Sequence, residues 1–144
     1  VIVIRGAQAA DIDAIAAGVR PAQAAELALR GETPAQALRR GLAASVEAWT
    51  ALDDDHPIAM WGITTPNLLG VEAHPWVITA LATDRHKVRF WRETKAAIAD
   101  MLSRYPVLSN EFDVLDGEAV RILRHLGFAV SAPGGRFQTF ERRG

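Results

Sequence analysis

The stretch Pro75-Trp76-Val77-Ile78-Thr79-Ala80-Leu81-Ala82, the run from Arg85 to Tyr105, and Val107 to Leu115 together decide the fold. The first octet is apolar and rich in strand formers, so it reads as a strand. In the run that follows, Phe90, Trp91, Thr94, Ala97, Ile98, Met101, Leu102 and Tyr105 recur at i, i+1, i+4, i+7, i+8, i+11, i+12 and i+15. Arg92, Glu93, Asp100 and Arg104 fall on the other side, which makes this a long helix with one core face. Pro106 cannot continue it, and Val107 to Leu115 supplies a second strand. A long helix between two strands is the crossover that a parallel strand pair requires.

Working outward, Val1-Ile2-Val3-Ile4-Arg5 is a β-branched strand bounded by Gly6. From Ala9 to about Arg40 the chain turns rich in Ala, Gln, Glu and Leu, with Ile12, Ile15, Ala16 and Val19 at helical spacing. Two or three short helices are expected there. Pro21 suits a first helical position, and Thr33-Pro34-Ala35-Gln36 is a capping box, with Gly31 and Gly41 as stops. Ser45 to Leu52 and Pro57 to Ile63 read as a hairpin around Asp53-Asp54-Asp55-His56. Three adjacent aspartates suit turn chemistry better than a metal, because neighbouring side chains of an extended segment point to opposite faces. Thr64 to Gly70 reads as a loop. Beyond Leu115, Asp116 caps a helix carrying Ala119, Val120, Ile122, Leu123 and Leu126 on one face and ended by Gly127. Phe128 to Ser131 and Arg136 to Phe140 read as two last strands. The order predicts one α/β domain over residues 1–144, with a mixed, mostly antiparallel sheet and helices on both faces.

Composition narrows the function classes. The 144 residues match one domain, and with no cysteine there is no disulfide framework, thiolate metal site or cysteine nucleophile. Sixteen Lys and Arg against 17 Asp and Glu give a net charge of −1, which argues against nucleic acid as the partner. No window is apolar enough to span a bilayer, and no basic segment precedes Val1, so neither membrane insertion nor secretion is expected. The four histidines, His56, His74, His86 and His125, show no ligand spacing, and no metal is expected. The serines lack the glycine pattern of a nucleophile elbow. Trp49, Trp61, Trp76 and Trp91 read as core, with a partner groove as the alternative.

By element order the chain resembles the GCN5-related N-acetyltransferase (GNAT) fold over nearly its whole length. The most specific local match is Asp116-Gly117-Glu118-Ala119-Val120-Arg121-Ile122-Leu123-Arg124-His125-Leu126-Gly127-Phe128, similar to the family's helix that ends in Gly-Phe before a strand. Gly41-Leu42-Ala43-Ala44-Ser45, Ala48-Trp49-Thr50-Ala51-Leu52, Pro57-Ile58-Ala59-Met60-Trp61-Gly62 and Pro75-Trp76 resemble a phage and prophage group that includes the internal virion protein A of short-tailed podophages. That resemblance implies a host cytoplasm or virion interior, and a virion or host protein as partner.

The family's cofactor loop has the form Arg/Gln-x-x-Gly-x-Gly/Ala, in which main-chain amides receive the pyrophosphate. The matching stretch here is Arg85-His86-Lys87-Val88-Arg89-Phe90. Arg85 fits, whereas Val88 and Phe90 stand where small residues let a phosphate approach, and they are expected to fill that corner. The family's tyrosine acid, four residues before the glycine, is Leu123 here, and the Asn near that helix start is Asp116. Tyr105, the one tyrosine, reads as a core residue. Glu72 and His74 before the fourth strand and Glu111 on the fifth are the candidates for an amine base. Arg85, His86, Lys87, Arg89, Arg92 and Lys95 concentrate positive charge at the start of the long helix, either as a solvated face or as an anion site. Two functions follow. The preferred one is a module without cofactor, degenerate at the acetyl-CoA site, that binds a virion or host protein. The alternative is an active acetyl-CoA-dependent N-acetyltransferase on a small amine or protein amine, with the cofactor held by Arg85, His86, Lys87 and Arg89.

Overall fold

A computed structural model of the chain describes residues 1–65, 72–113, 121, 123–131 and 137–144, by backbone alone at 111–113 and 137–138. In chain order the elements are β1 (Ile2–Gly6), a 3-10 turn (Ala9–Asp11), α1 (Ile12–Ala17), α2 (Pro21–Leu29), α3 (Pro34–Ala44), β2 (Glu47–Asp53) and β3 (His56–Thr64). There follow β4 (Glu72–Thr79), a 3-10 turn (Leu81–His86), α4 (Lys87–Arg104), β5 (Val107–Asp113), β6 (Ala129–Val130) and β7 (Phe137–Arg143). The seven strands are ordered β1-β2-β3-β4-β5-β7-β6. The β4–β5 pair, on either side of α4, is parallel, and β1–β2, β2–β3, β5–β7 and β6–β7 are antiparallel. This is the mixed, mostly antiparallel α/β sheet that the strand–helix–strand stretch implies.

The chain divides into two compact units. The first comprises Val1–Thr64 and Trp76–Phe90. One part of its core joins Ile12 and Ile15 of α1, Ala37 and Leu38 of α3, Met60 of β3 and Ile78 of β4. Another joins Ile2, Ala51, Ile58 and Ala59, with Ile4, Trp61, Ala82 and Phe90 packed against it. The β2–β3 hairpin turns on Asp54 and Asp55 at φ 46° and 68°, so these two aspartates are turn residues whose twist suits a two-residue hairpin, while Asp53 ends β2. The capping box forms at the expected residues: Gln36 N donates to Thr33 Oγ1 at 3.2 Å and Thr33 N to Gln36 Oε1 at 2.9 Å.

Several boundaries differ from the sequence reading: β4 begins at Glu72 and not at Pro75, so Glu72 and His74 lie on the strand and not before it, and β7 runs on to Arg143. Two further differences have a visible cause. Gly31 does end α2, at φ +75°, but Gly41 ends nothing and lies buried inside α3. A Cβ there would stand 2.9 Å from Trp76 Cζ2, so the glycine is required for close approach and not for a cap. The β4 strand stops at Thr79, short of the expected Ala82. Thr83 bends the chain there, its N–H and hydroxyl both donating to Ala80 O at 3.1 and 2.9 Å.

The second unit comprises Thr65–Pro75 and Trp91–Gly144. Residues 123–125 are helical, and Gly127, at φ +90°, ends that helix. Gly127 N donates to Arg124 O and Phe128 N to Leu123 O, both at 3.0 Å, the double closure of a left-handed C-cap. Phe128 is buried and meets Phe140 of β7 edge-on at 5.1 Å. The expected cap, Asp116, lies outside the described residues. Among those described, no helix is long and apolar enough to cross a membrane.

Candidate functional site

In the first unit the expected cofactor stretch is wound into the junction of the 3-10 turn and α4. No residue from Arg85 to Phe90 has a positive φ. A nest of main-chain N–H groups needs alternating backbone hands, so this stretch has no such cradle. The side chains are placed differently from the expectation. Val88 is 75% exposed. Phe90 turns to the sheet, its ring edge-on to Trp61 with centroids 6.4 Å apart. Trp61 in turn stacks on its cross-strand partner Trp49 at 6.4 Å. Both rings therefore serve packing in this unit.

The cations of the stretch fall into two sets. Arg89 Nη2 donates to Ile2 O at 3.1 Å, and His86 Nε2 lies 3.0 Å from Asp53 Oδ2. The hydrogen bond from His86 holds the Asp53 carboxyl below the usual carboxylate range. Asp84, an acid adjacent to the cluster, is taken by Arg20, whose hydrogen bond likewise lowers its pKa. Arg85 and Lys87 remain exposed, with no hydrogen bond or ion pair among the described residues. They are the cations of this stretch that remain available to an anion.

In the second unit the parallel ladder between β4 and β5 consists of Glu72↔Val107 and Ala73↔Leu108. Side chains then take over. His74 Nδ1 lies 2.7 Å from Ser109 O and Asn110 Nδ2 donates to Pro75 O at 2.9 Å. A carbonyl only accepts, so Nδ1 carries a proton. The Ser109 hydroxyl donates to Glu72 Oε1 and stands 3.4 Å from His74 Nδ1. Glu72 and His74 are thus brought together through Ser109, which the sequence reading considered only as a nucleophile and dismissed. The strand register could have found it, since Glu72 opposite Val107 puts Ser109 in line with His74. The Glu111 side chain lies outside the described residues.

The remaining candidates separate. Leu123 is half-buried, and its carbonyl serves the Gly127 cap. Tyr105 is half-buried just past the end of α4. The Trp91 ring meets the His125 ring edge-on at 5.8 Å. Among the described residues no three His, Asp or Glu side chains converge as metal ligands would.

No family model matches the chain, and no curated protein matches it in sequence. Solved structures do match in fold. The PaiA N-acetyltransferase of Thermoplasma acidophilum, in complex with coenzyme A, superposes with TM-score 0.74 at 12% identity, over 100% of this chain and 99% of that one. A spermidine N-acetyltransferase chimera from Vibrio cholerae and hSSAT gives 0.70 at 15%, over 99% and 95%. RimL, a ribosomal L7/L12 α-N-protein acetyltransferase in complex with coenzyme A, gives 0.68 at 6%, over 99% and 93%. Complexes with coenzyme A on this fold overturn the expectation of a chain without cofactor. That expectation rested on the bulk of Val88 and Phe90, one of which lies in solvent and the other against Trp61. The chain has the GNAT fold of these N-acetyltransferases.

Proposed function

We propose that the protein is an acyl-CoA-dependent N-acyltransferase acting on a primary amine. The observation that carries this reading is the Ser109 hydroxyl donating to Glu72 where the β4–β5 ladder gives way to side chains. An aliphatic amine is protonated at neutral pH, with a pKa of about 10, and must lose a proton before it can attack a carbonyl. Glu72 Oε1 is the acceptor for that proton, and the Ser109 hydroxyl is the group through which it passes. His74, tied through Nδ1 to Ser109 O, holds the serine in place. Leu123 has no exchangeable proton, so the chain supplies a base without a matching acid at that position. Acetyl-CoA, when bound, supplies the acyl group as a thioester. Arg85 and Lys87 fit its phosphates as side-chain cations, in place of main-chain amides.

The test is thiol release from acetyl-CoA with polyamines, small amines and peptide N-termini as acceptors. Turnover with at least one amine is expected, and Glu72→Gln is expected to slow it by about 10²- to 10⁴-fold. Coenzyme A binding without turnover on any amine would favour the second reading, a phage or prophage module that binds a virion or host protein. The sequence resemblance and Leu123 support that reading. A pull-down from infected cells that returns no virion or host protein would remove it.

A further inference from the structure

β1 is an edge strand of the sheet, and Val3 on it is 53% exposed. Such an edge is a template for another strand. Its odd-numbered residues pair inward: Asp54 N donates to Val1 O at 3.3 Å and Ala7 N to Ala48 O at 3.0 Å, at the two ends of the ladder that runs from Ile2↔Asp53 to Gly6↔Trp49. Bonding groups alternate along an antiparallel strand, so the main-chain groups of Ile2, Ile4 and Gly6 point outward. Two of their carbonyls are met by guanidinium groups. Arg89 of α4 donates through Nη2 to Ile2 O at 3.1 Å, and Arg5 donates through Nη1 to Gly6 O at 3.0 Å. No described side chain bonds to the Ile4 N–H or C=O between them.

The two contacts differ in origin. Arg5 lies on β1 itself and is fixed by a bidentate bond to the buried Asp11. Arg89 reaches the edge from another element, is exposed, and makes this one hydrogen bond among the described residues. A second β1 strand laid antiparallel about Ile4 would use the same outward groups. Ile4 would exchange both bonds with Ile4 of the second copy, and Ile2 would exchange both with Gly6. Val3 would stand opposite Arg5, so no like charges meet across that register. The pairing is two-fold and consumes both edges, so it closes at a dimer. Gly6 O keeps a second lone pair for it, whereas at Ile2 O the Arg89 side chain stands where the incoming strand would lie.

We propose that β1 is a self-pairing surface for a second copy of this chain, kept closed by Arg89 on Ile2 O. Opening it exchanges one guanidinium–carbonyl bond on each copy for a continuous main-chain ladder between the two sheets. The guanidinium also sets a positive charge on the edge, and two copies would bring two such charges together. The guard therefore acts twice, by occupying the acceptor and by repelling its own image.

Sedimentation velocity on the full chain over a concentration series reads the guard. Arg89 is exposed and makes one bond, so replacing it leaves the fold intact, which circular dichroism checks. Arg89→Gln and Arg89→Met, one polar and one apolar, are both expected to dimerise at concentrations at least about tenfold below any at which the wild type does. Adding Val3→Lys to either sets like charges opposite Arg5 of the second copy and is expected to return it to a monomer. Hydrogen exchange at the Ile4 N–H is expected to slow on dimerisation, while that at the inward Val3 N–H stays unchanged. Folded variants that associate no more tightly than the wild type overturn the proposal. Association of Arg89→Met alone reports its new apolar surface and also overturns it, as does a dimer that survives Val3→Lys or an assembly larger than a dimer.

Discussion

Two carboxylates in this protein stand in opposite situations. Asp11, in the first unit, is 3% exposed and fully engaged: Arg5 binds it through Nη1 and Nη2 at 2.9 and 2.8 Å, and Thr50 Oγ1 and Gln8 N add bonds of 2.8 and 2.9 Å. Burial pushes its pKa up, but the hydrogen bonds from Arg5, Thr50 and Gln8 outweigh that and leave it below the ordinary value. Glu72, in the second unit, is half-buried and is held by one neutral hydroxyl, with no cation paired to it among the described residues. A charge locked by a bidentate arginine has no capacity left for chemistry. A carboxylate holding a single O–H keeps lone pairs for a proton.

The largest expected effect breaks the first of the pair. Asp11→Ala strands the Arg5 guanidinium and the Thr50 hydroxyl, and is expected to cost about 3 kcal/mol in urea unfolding. Glu72→Ala is expected to change stability by no more than about 0.5 kcal/mol while abolishing most turnover. An equal loss of stability in both variants would erase the distinction. The pH dependence sharpens it. Because the folded pKa of Asp11 is depressed, its contribution is complete above the unfolded value of about 4 and is lost as pH falls through the folded value. The urea midpoint of the wild type is therefore expected to drop in that acid window, and that of Asp11→Asn to drop less.

Gly41→Ala is the next test. Helix propensity alone favours alanine by about 1 kcal/mol, but the new methyl would meet the Trp76 ring at 2.9 Å, and overpacking costs about 1 to 3 kcal/mol. A net loss of about 1 kcal/mol by thermal unfolding is expected. Stabilisation would return Gly41 to the role of an ordinary helix residue. The smallest effect is at the hairpin: Asp55→Gly relieves a left-handed backbone at φ 68° and is expected to stabilise by a few tenths of a kcal/mol.

The capping box at Thr33, the Gly31 stop, the aspartate turn and the Gly127 C-cap were all legible, because each is a local rule acting over three or four residues. Gly41 was misread for the same reason. A glycine near the end of a helical pattern looks like a stop, and only Trp76, 35 positions away along the chain, explains it. Glu72 and His74 were legible as candidates by type and place. Ser109 was not, because its role depends on the register that sets β5 beside β4.

The order of strands and helices, the crossover helix and its parallel pair were determined by hydrophobic period and by the residues that start and stop elements. Those signals are short-ranged and survive in one dimension. Where the Val88 and Phe90 side chains lie, which cations beside Arg89 and His86 make no hydrogen bond, and which side chains meet Ile2 O and Gly6 O were decided only by the tertiary structure. A side chain's direction and its partner come from segments distant along the chain, and no spacing rule contains them.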